Sequence, residues 1–432
     1  MISKHVLLVT YHFPPDGGSS GVLRPLKFAK YLPQFGWIPH ILTVKPHLYE
    51  TLDWSLEQEL VSEIDIHRTR AIVISRHLAV AGHYPGFLAV PDRMVGWIPF
   101  ALWEGLYLIR KFPITAIYST APPPSAHLIG YWLKRWTHIP WVADYRDPWV
   151  DAVHPPMGSL RRKIETRMEE KILEQADRVI ATTPALLHQI LTHYPQSRDR
   201  QGTVIYNGYD EADFAADMVC AQPPVFELLH AGLITKQYRN PEPLMCAMAR
   251  LIQTGQMLKE DVRLTFLSGI GWMQSQEFQD MIDRFGLDGV ILVEPRVSHE
   301  QALRRMQQAA VLVGIQASDD TRVLIPAKIF EYLRIGRPIV VIADEGETSR
   351  LVRQFAGCWS IEPSDHERLC TVLRALYETW KRGEAQWFYR ELKQFDRMAL
   401  TGNLAEVMNQ CSTVRQAECA NAANSPMRDK AL

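Results

Sequence analysis

The sequence predicts an α/β protein made of two successive doubly wound, Rossmann-like domains. Three observations predict it. Short runs of β-branched residues alternate with amphipathic helical stretches, the pattern of parallel βαβ units. The first apolar run is followed at once by a glycine-rich turn and a helix. The chain has 432 residues, more than one hydrophobic core ordinarily holds. The formal charge of -1 provides no global field that would point to nucleic acid. Six cysteines, Cys220, Cys246, Cys358, Cys370, Cys411 and Cys419, show neither a C-x-x-C pair nor paired histidine spacing, which argues against zinc and against a disulfide framework and fits a reducing cytoplasm. Met1 to His5 lead straight into a short strand, too short for a signal peptide, and no other window is long and apolar enough to span a bilayer.

Taken in order, Val6 to Thr10 read as the first strand, Tyr11 to Gly21 as a glycine-rich turn, and Leu23, Leu26, Phe28 and Leu32 as the buried stripe of a helix. A strand, a glycine loop and a helix start let backbone N–H groups meet a charged or hydroxylated ligand. The loop is not the G-x-G-x-x-G fingerprint, and no G-x-x-x-x-G-K-[ST] loop supports an ATPase. Further strands are expected at His40 to Val44, Ala71 to Ser75, Ala116 to Ser119, Trp141 to Asp144, Arg178 to Thr182 and Gly202 to Tyr206. Asp144, Arg146 and Asp147 follow one of them at the carboxyl edge, where open α/β sheets bind ligands; they read either as an Asp–Arg pair closing a loop or as part of a site.

Asn207-Gly208-Tyr209-Asp210 is a turn signal, and the loop-like stretch to Pro224 reads as a linker. The second series comprises strands at Phe226 to Ala231 (closed by Gly232), Arg263 to Ser268 (closed by Gly269-Ile270-Gly271), Val290 to Glu294, Val311 to Ile315, Ile339 to Ala343 and Cys358 to Ile361. Ser298 to Gln301 resemble a capping box, and helical patterns run from Asp365 to Lys381 and from Gln386 to Gln410. The domains expected are therefore 1–212, 213–384, a C-terminal helix over 385–411 packing back towards the first domain, and a disordered tail over 412–432.

The most informative stretch is Pro326-Ala327-Lys328-Ile329-Phe330-Glu331-Tyr332-Leu333, closed by Gly336-Arg337-Pro338. Proline at its start and glycine at its end bound a helix. Lys328 and Glu331, three apart, share one face close to its N-terminus, where the dipole favours anions. A phosphate-and-hydroxyl site is one reading; a surface ion pair worth a few tenths of a kcal/mol is the other.

Two α/β domains, a glycine loop after the first strand and a P-x-K-x-x-E-Y-L helix in the second domain together resemble the family 4 glycosyltransferases. That resemblance implies the GT-B fold, with two Rossmann-like domains facing a central cleft. It implies that Glu331 binds the ribose of a nucleotide sugar and Lys328 its diphosphate. Arg239, with Lys236 behind it, becomes the second diphosphate cation, and Gly232 belongs to the phosphate segment. Gly269 and Gly271 match small residues under the nucleotide, and Arg296 and Val297 lie where backbone meets the base. Gly17 and Gly18 match the loop that approaches donor phosphates and acceptor, and Asp144 and Arg146 fall on the acceptor side. The chain departs from the family at Val323, eight positions before Glu331, where many members carry a further glutamate, and at Ser119-Thr120, where a histidine is usual. Asp147 and His127 are the catalytic candidates left.

The activity so implied is transfer of a sugar from a nucleotide-diphosphate donor to a saccharide or lipid-linked saccharide acceptor in polysaccharide biosynthesis, with retention. Cations and helix N-termini stabilise the departing diphosphate, each donor being worth roughly 3 kcal/mol in a dry site, so no metal and no cofactor beyond the donor are required. The alternatives are a nucleotide-sugar epimerase of the same fold and a nucleotide-sugar binding protein without catalysis. Val95 to Trp103, Lys134-Arg135-Trp136 and Arg161 to Lys163 are either an aromatic and basic surface for the inner face of an anionic plasma membrane, or a buried helix face with solvated ends.

Overall fold

The computed structural model describes residues 3–60, 64–78, 83–150, 158–194, 202–214, 222–237, 239–267, 271–316, 321–384 and 386–423. It divides into two compact units, Met1–Tyr206 with Arg397–Leu432, and Asn207–Asp396. The chain contains, in order, β1 (Lys4–Val9), α1 (Leu23–Tyr31), β2 (Trp37–Val44), β3 (Asp65–Thr69), α2 (Ile74–His77), α3 (Ile98–Lys111), β4 (Ile114–Ala121), α4 (Ser125–Thr137), β5 (Trp141–Tyr145), α5 (Ser159–Gln175), β6 (Arg178–Ala181), α6 (Pro184–His193) and β7 (Gly202–Val204). There follow β8 (Phe226–Ala231), α7 (Glu242–Gln253), β9 (Val262–Leu267), α8 (Gln276–Phe285), β10 (Ile291–Glu294), α9 (His299–Gln308), β11 (Val311–Gln316), α10 (Ala327–Ile335), β12 (Ile339–Ala343), α11 (Glu347–Val352), β13 (Cys358–Ile361), α12 (His366–Lys381) and α13 (Arg397–Ala423).

Both sheets are parallel, as the alternating pattern predicts. The first runs β3-β2-β1-β4-β5-β6-β7 and the second β10-β9-β8-β11-β12-β13. Central strands are buried on both faces, which is why Val6 to Val9 and Ile339 to Ile342 read as unbroken apolar runs. The strand order reverses between β1 and β4, and again between β8 and β11; such switch points open a crevice at the carboxyl ends of the strands. In the second unit Leu228, Met248, Phe266 and Val313 pack in one core. In the first, Val6, Phe28, Tyr118 and Val142 pack with Leu400, Leu404 and Met408 of α13, so the C-terminal helix completes the core of the N-terminal unit.

Three expectations about elements change. The strand expected at Ala71 to Ser75 is a short helix from Ile74, and the edge strand is β3, whose polar sequence Asp65-Ile66-His67-Arg68-Thr69 hides its extended conformation. The helix expected from Gln386 begins at Arg397. Residues 386–396 instead form a strap on the second unit: Trp387 Nε1 donates to Ile335 O at 2.8 Å, Phe388 N to Gly336 O at 2.7 Å, and the buried Arg390 guanidinium to Leu333 O, Arg337 O and Ala356 O at 3.0 to 3.1 Å. Carbonyls at the end of α10 gain donors that a continuing helix would have turned away. Finally, α13 continues through 412–423, placed in the tail above, whereas 424–432 lie outside the described residues.

Candidate functional site

The site is built around α10. Pro326 caps it with extended backbone and no side-chain cap bond, and Gly336 closes it at φ +85°. The helix buries Ile329, Phe330, Tyr332 and Leu333 and leaves Lys328 half-exposed at its first turn. Tyr332 ties it to the sheet, its hydroxyl accepting from Ala231 N at the carboxyl end of β8 at 2.8 Å. That end lies beside the β8–β11 switch point.

Glu331 is 5% exposed. Its Oε1 accepts from His299 Nε2 at 2.9 Å, and Lys328 Nζ is 3.0 Å from Oε2. The lysine contact is an ion pair without hydrogen-bond alignment, so Oε2 is buried with no directed donor. Burial opposes the charge, but Lys328 and His299 more than offset it and hold the carboxyl pKa down at about 2. His299 is the first residue of α9, positioned by the capping box of Ser298 and Gln301 that the sequence suggested. Its partnership with Glu331 was not legible there, because it joins residues 32 positions apart.

The segment after β8 supplies the next components. Gly232 adopts φ +152°, open to glycine and strained for other residues, with its N–H bonded to Leu267 O at 3.0 Å. Beneath it the buried His230 donates from Nδ1 to Val313 O at 2.9 Å, leaving Nε2 without a partner, and burial lowers its pKa to about 4. Arg239 bonds Leu233 O at 3.0 Å, and its charge acts on both His230 and Tyr332, which places it near the helix that carries Lys328 and Glu331. Lys236 is drawn elsewhere, into an exposed ion pair with Glu277. Gly271 adopts φ +65° at the end of the β9 loop, and Gly269 lies outside the described residues. The exposed Arg296 and half-buried Val297 immediately precede the capping box that places His299.

In the first unit, Gly17 N bonds Thr51 O at 2.9 Å and a Cβ there would meet Asp53 Cβ at 2.9 Å, so that glycine is required by close approach. Gly18 N bonds Asp16 Oδ1 at 2.9 Å, and Asp16 Oδ2 holds His12 Nδ1 at 2.7 Å, an oriented imidazole at the carboxyl end of β1 that the sequence reading missed. Asp144 and Arg146 are interior staples. Asp144 accepts from Arg24 Nε and Nη2 at 2.8 Å, Tyr118 at 2.5 Å and Thr120 at 3.0 Å. Burial disfavours its charge, but the Arg24 guanidinium holds its carboxyl below the usual range. Arg146 donates to Ala121 O, Gly21 O and Pro122 O. Asp147 is exposed at the same edge. His127, a catalytic candidate by resemblance, is fully buried, bonded to Ser119 Oγ at 2.8 Å and packed on Tyr145, and burial lowers its pKa to about 3. A neutral interior imidazole is a packing group, out of reach of a substrate.

Two parallel doubly wound units, the second carrying a buried carboxylate and cations at its switch point, define the GT-B class of architecture. Among solved structures, the chain is similar to sucrose-phosphate synthase from Thermosynechococcus elongatus (TM-score 0.63, 15% identity, 98% of this chain and 100% of that one). It is also similar to Anabaena HepE in complex with UDP (TM-score 0.59, 14% identity, 98% and 100%). Residues 26–213 match the model of Glycosyltransferase Family 4. That match covers less than half of the chain, almost all of it in the first unit, and agrees with the resemblance that the motifs carry. A curated relative, D-inositol 3-phosphate glycosyltransferase 1 of Catenulispora acidiphila, is 27% identical over 220 residues, 49% of this chain and 51% of the relative. The chain thus matches about half the length of such relatives.

Proposed function

We propose that the protein is a glycosyltransferase that moves a sugar from a nucleotide-diphosphate donor to a saccharide or lipid-linked saccharide acceptor in polysaccharide biosynthesis, with retention and without a catalytic metal. The observation that carries the reading is Glu331: a buried, ionised carboxylate with one oxygen held by His299 and the other without a directed donor. A ribose hydroxyl supplies the missing donor, and the charge-assisted bond so formed is of the strong kind. Lys328 beside it, at the first turn of α10, faces the diphosphate, where a cation and the helix dipole stabilise the charge that develops as the glycosyl bond breaks. Arg239 is the second cation. His12 and Asp147, at the carboxyl edge of the first sheet, are the groups offered for proton exchange with an acceptor.

The test is a thermal-shift panel of UDP, GDP, TDP and CMP with their sugar conjugates. A diphosphate ligand raises the melting temperature of the native protein, and Lys328→Ala and Glu331→Ala each weaken its binding about tenfold or more. Unchanged shifts in both variants would remove the site.

A membrane-facing surface belongs to the same reading. No helix among the described residues is long and apolar enough to cross a bilayer. Trp97 is buried, its indole bonded to Thr69, but Trp103 is 74% exposed on α3, and Trp132 and Trp136 are exposed on α4, which packs against α3. With Arg110 and Arg135 exposed on the same helices, they suit an anionic leaflet on the cytoplasmic side, where a lipid-linked acceptor would be presented. Co-sedimentation with anionic but not neutral vesicles, reduced by Trp103→Ala with Trp136→Ala, is the expected result.

A further inference from the structure

We propose that His40, Asp65 and His67 form a binding site for a divalent cation of borderline softness, Zn2+ above all, at the β2–β3 edge of the first sheet. The register His40↔Asp65 and Leu42↔His67 brings them together. Successive side chains of a strand alternate in direction, so Asp65 and His67, two apart, share the face on which His40 stands. One ligand atom from each residue lies within 4.8 Å of the others.

Each imidazole is anchored by one nitrogen and leaves the other without a partner. His40 is 2% exposed; its Nε2 meets His5 Nδ1 at 2.9 Å, and Phe112 covers the ring at a centroid distance of 4.2 Å. Its buried Nδ1 makes no hydrogen bond, with Asp65 Oδ2 3.7 Å away. That gap is too long for a hydrogen bond, yet close to the roughly 3.4 Å that separates two ligands of a tetrahedral zinc with bonds of about 2.0–2.2 Å. On His67, Nδ1 is 3.5 Å from Glu104 Oε1, while Nε2 is buried without a partner. A carboxylate or second polar group on the far nitrogen is how metal-binding imidazoles are oriented. Two buried ring nitrogens left without hydrogen-bond partners are costly, and a cation satisfies both at once when each imidazole presents its unprotonated nitrogen.

The Asp65 side chain is 56% exposed, so the cluster opens to solvent at the edge strand, giving a cation a path and leaving a fourth position for water. Lys111 opposes the cation, since its charge acts on both rings; its ammonium is held over the Tyr107 and Phe112 rings. The site is therefore expected to bind less tightly than a closed structural zinc centre. Asp65 begins β3 and His40 and His67 lie midway along their strands, short of the carboxyl edge where the glycine loop and His12 follow β1, so the proposal is separate from whether sugar transfer itself needs a metal. Cysteine and local histidine spacing did not suggest it, because its ligands are 25 and 27 positions apart and meet only by strand pairing.

The test uses the full-length protein, stripped with a chelator, equilibrated with ZnCl2 and desalted, with bound metal measured by mass spectrometry and affinity by competition with a chromophoric chelator. The expected result is one equivalent of zinc per chain, a tenfold or greater loss of affinity in Asp65→Asn and in His67→Gln, and none in the exposed control His188→Gln. The exposure of Asp65 makes Asp65→Asn a variant that keeps its fold, which circular dichroism and an unchanged melting temperature without zinc establish. Wild type retaining no more zinc than the Asp65→Asn/His67→Gln double variant would overturn the proposal, whether because both bind nothing or because both bind elsewhere.

Discussion

At the scale of single residues, Glu331 makes the stability of the second unit depend on pH. Its folded pKa of about 2 lies below the ordinary 4.5, so the folded state holds the ionised form more tightly than the unfolded chain does. The contribution is fully present above pH 4.5 and is lost as pH falls through about 2. A shift of this size corresponds to roughly 3 kcal/mol. Glu331→Gln removes it. The melting-temperature advantage of wild type over that variant is expected to be constant from pH 7 to 5 and to shrink steadily below, and an advantage that instead grew on acidification would contradict the ionised assignment. Lys328 and Glu331 were legible in the sequence because a three-residue spacing between a helix-starting proline and a closing glycine is purely local information. His299 and Tyr332, which hold that carboxylate and that helix in place, act through partners 32 and 101 positions away, and no local pattern carries them. The same distinction separates Asp144 and Arg146, whose place at a strand end was legible, from their burial in a network with Arg24 and Gly21, which was not.

At the scale of elements, the helix bearing the candidate site depends on the strap that follows α12. Arg390 is 7% exposed and its guanidinium serves carbonyls of Leu333, Arg337 and Ala356. Removing it leaves acceptors inside the protein without donors, at about 1–3 kcal/mol for each one that water does not reach. Arg390→Ala is expected to lower unfolding free energy by about 3 kcal/mol in urea titrations, and Arg390→Lys to recover little, because one ammonium cannot span three carbonyls fixed for a planar fork. Gly336→Ala belongs to the same prediction: φ is +85° and a Cβ would sit 2.4 Å from Trp387 Nε1, so both backbone and strap resist it. Helical expectation over 386–396 failed because the residues there are adequate helix formers by propensity. Tertiary hydrogen bonding to the end of α10 decided their conformation. The edge strand β3 was missed for a related reason, since its alternating polar residues serve a half-solvated edge that a search for β-branched runs passes over.

At the scale of the whole molecule, the chain leaves the first unit at Tyr206 and returns to it at Arg397, so the second unit is an insertion and the first is completed by the C-terminal helix. The two sheets were legible because parallel strands, buried on both faces, announce themselves as apolar runs wherever they stand. The return of α13 rests on Leu400, Leu404 and Met408 meeting Phe28, Leu32 and Trp37, contacts nearly four hundred residues apart that become visible only in the fold. Burial of three such side chains is worth on the order of 5 kcal/mol, comparable to the whole stability of an ordinary domain. A chain ending at Asp396 is therefore expected to lose the calorimetric transition of the first unit and to bind the hydrophobic dye ANS. The second unit keeps its β8–β13 sheet, its core and the α10 strap within Asn207–Asp396, so a transition that a nucleoside diphosphate raises is expected to persist. Two transitions surviving truncation would show that α13 is dispensable to the first core. Loss of the ligand-sensitive transition along with the other would show that the second unit depends on the first for its own fold.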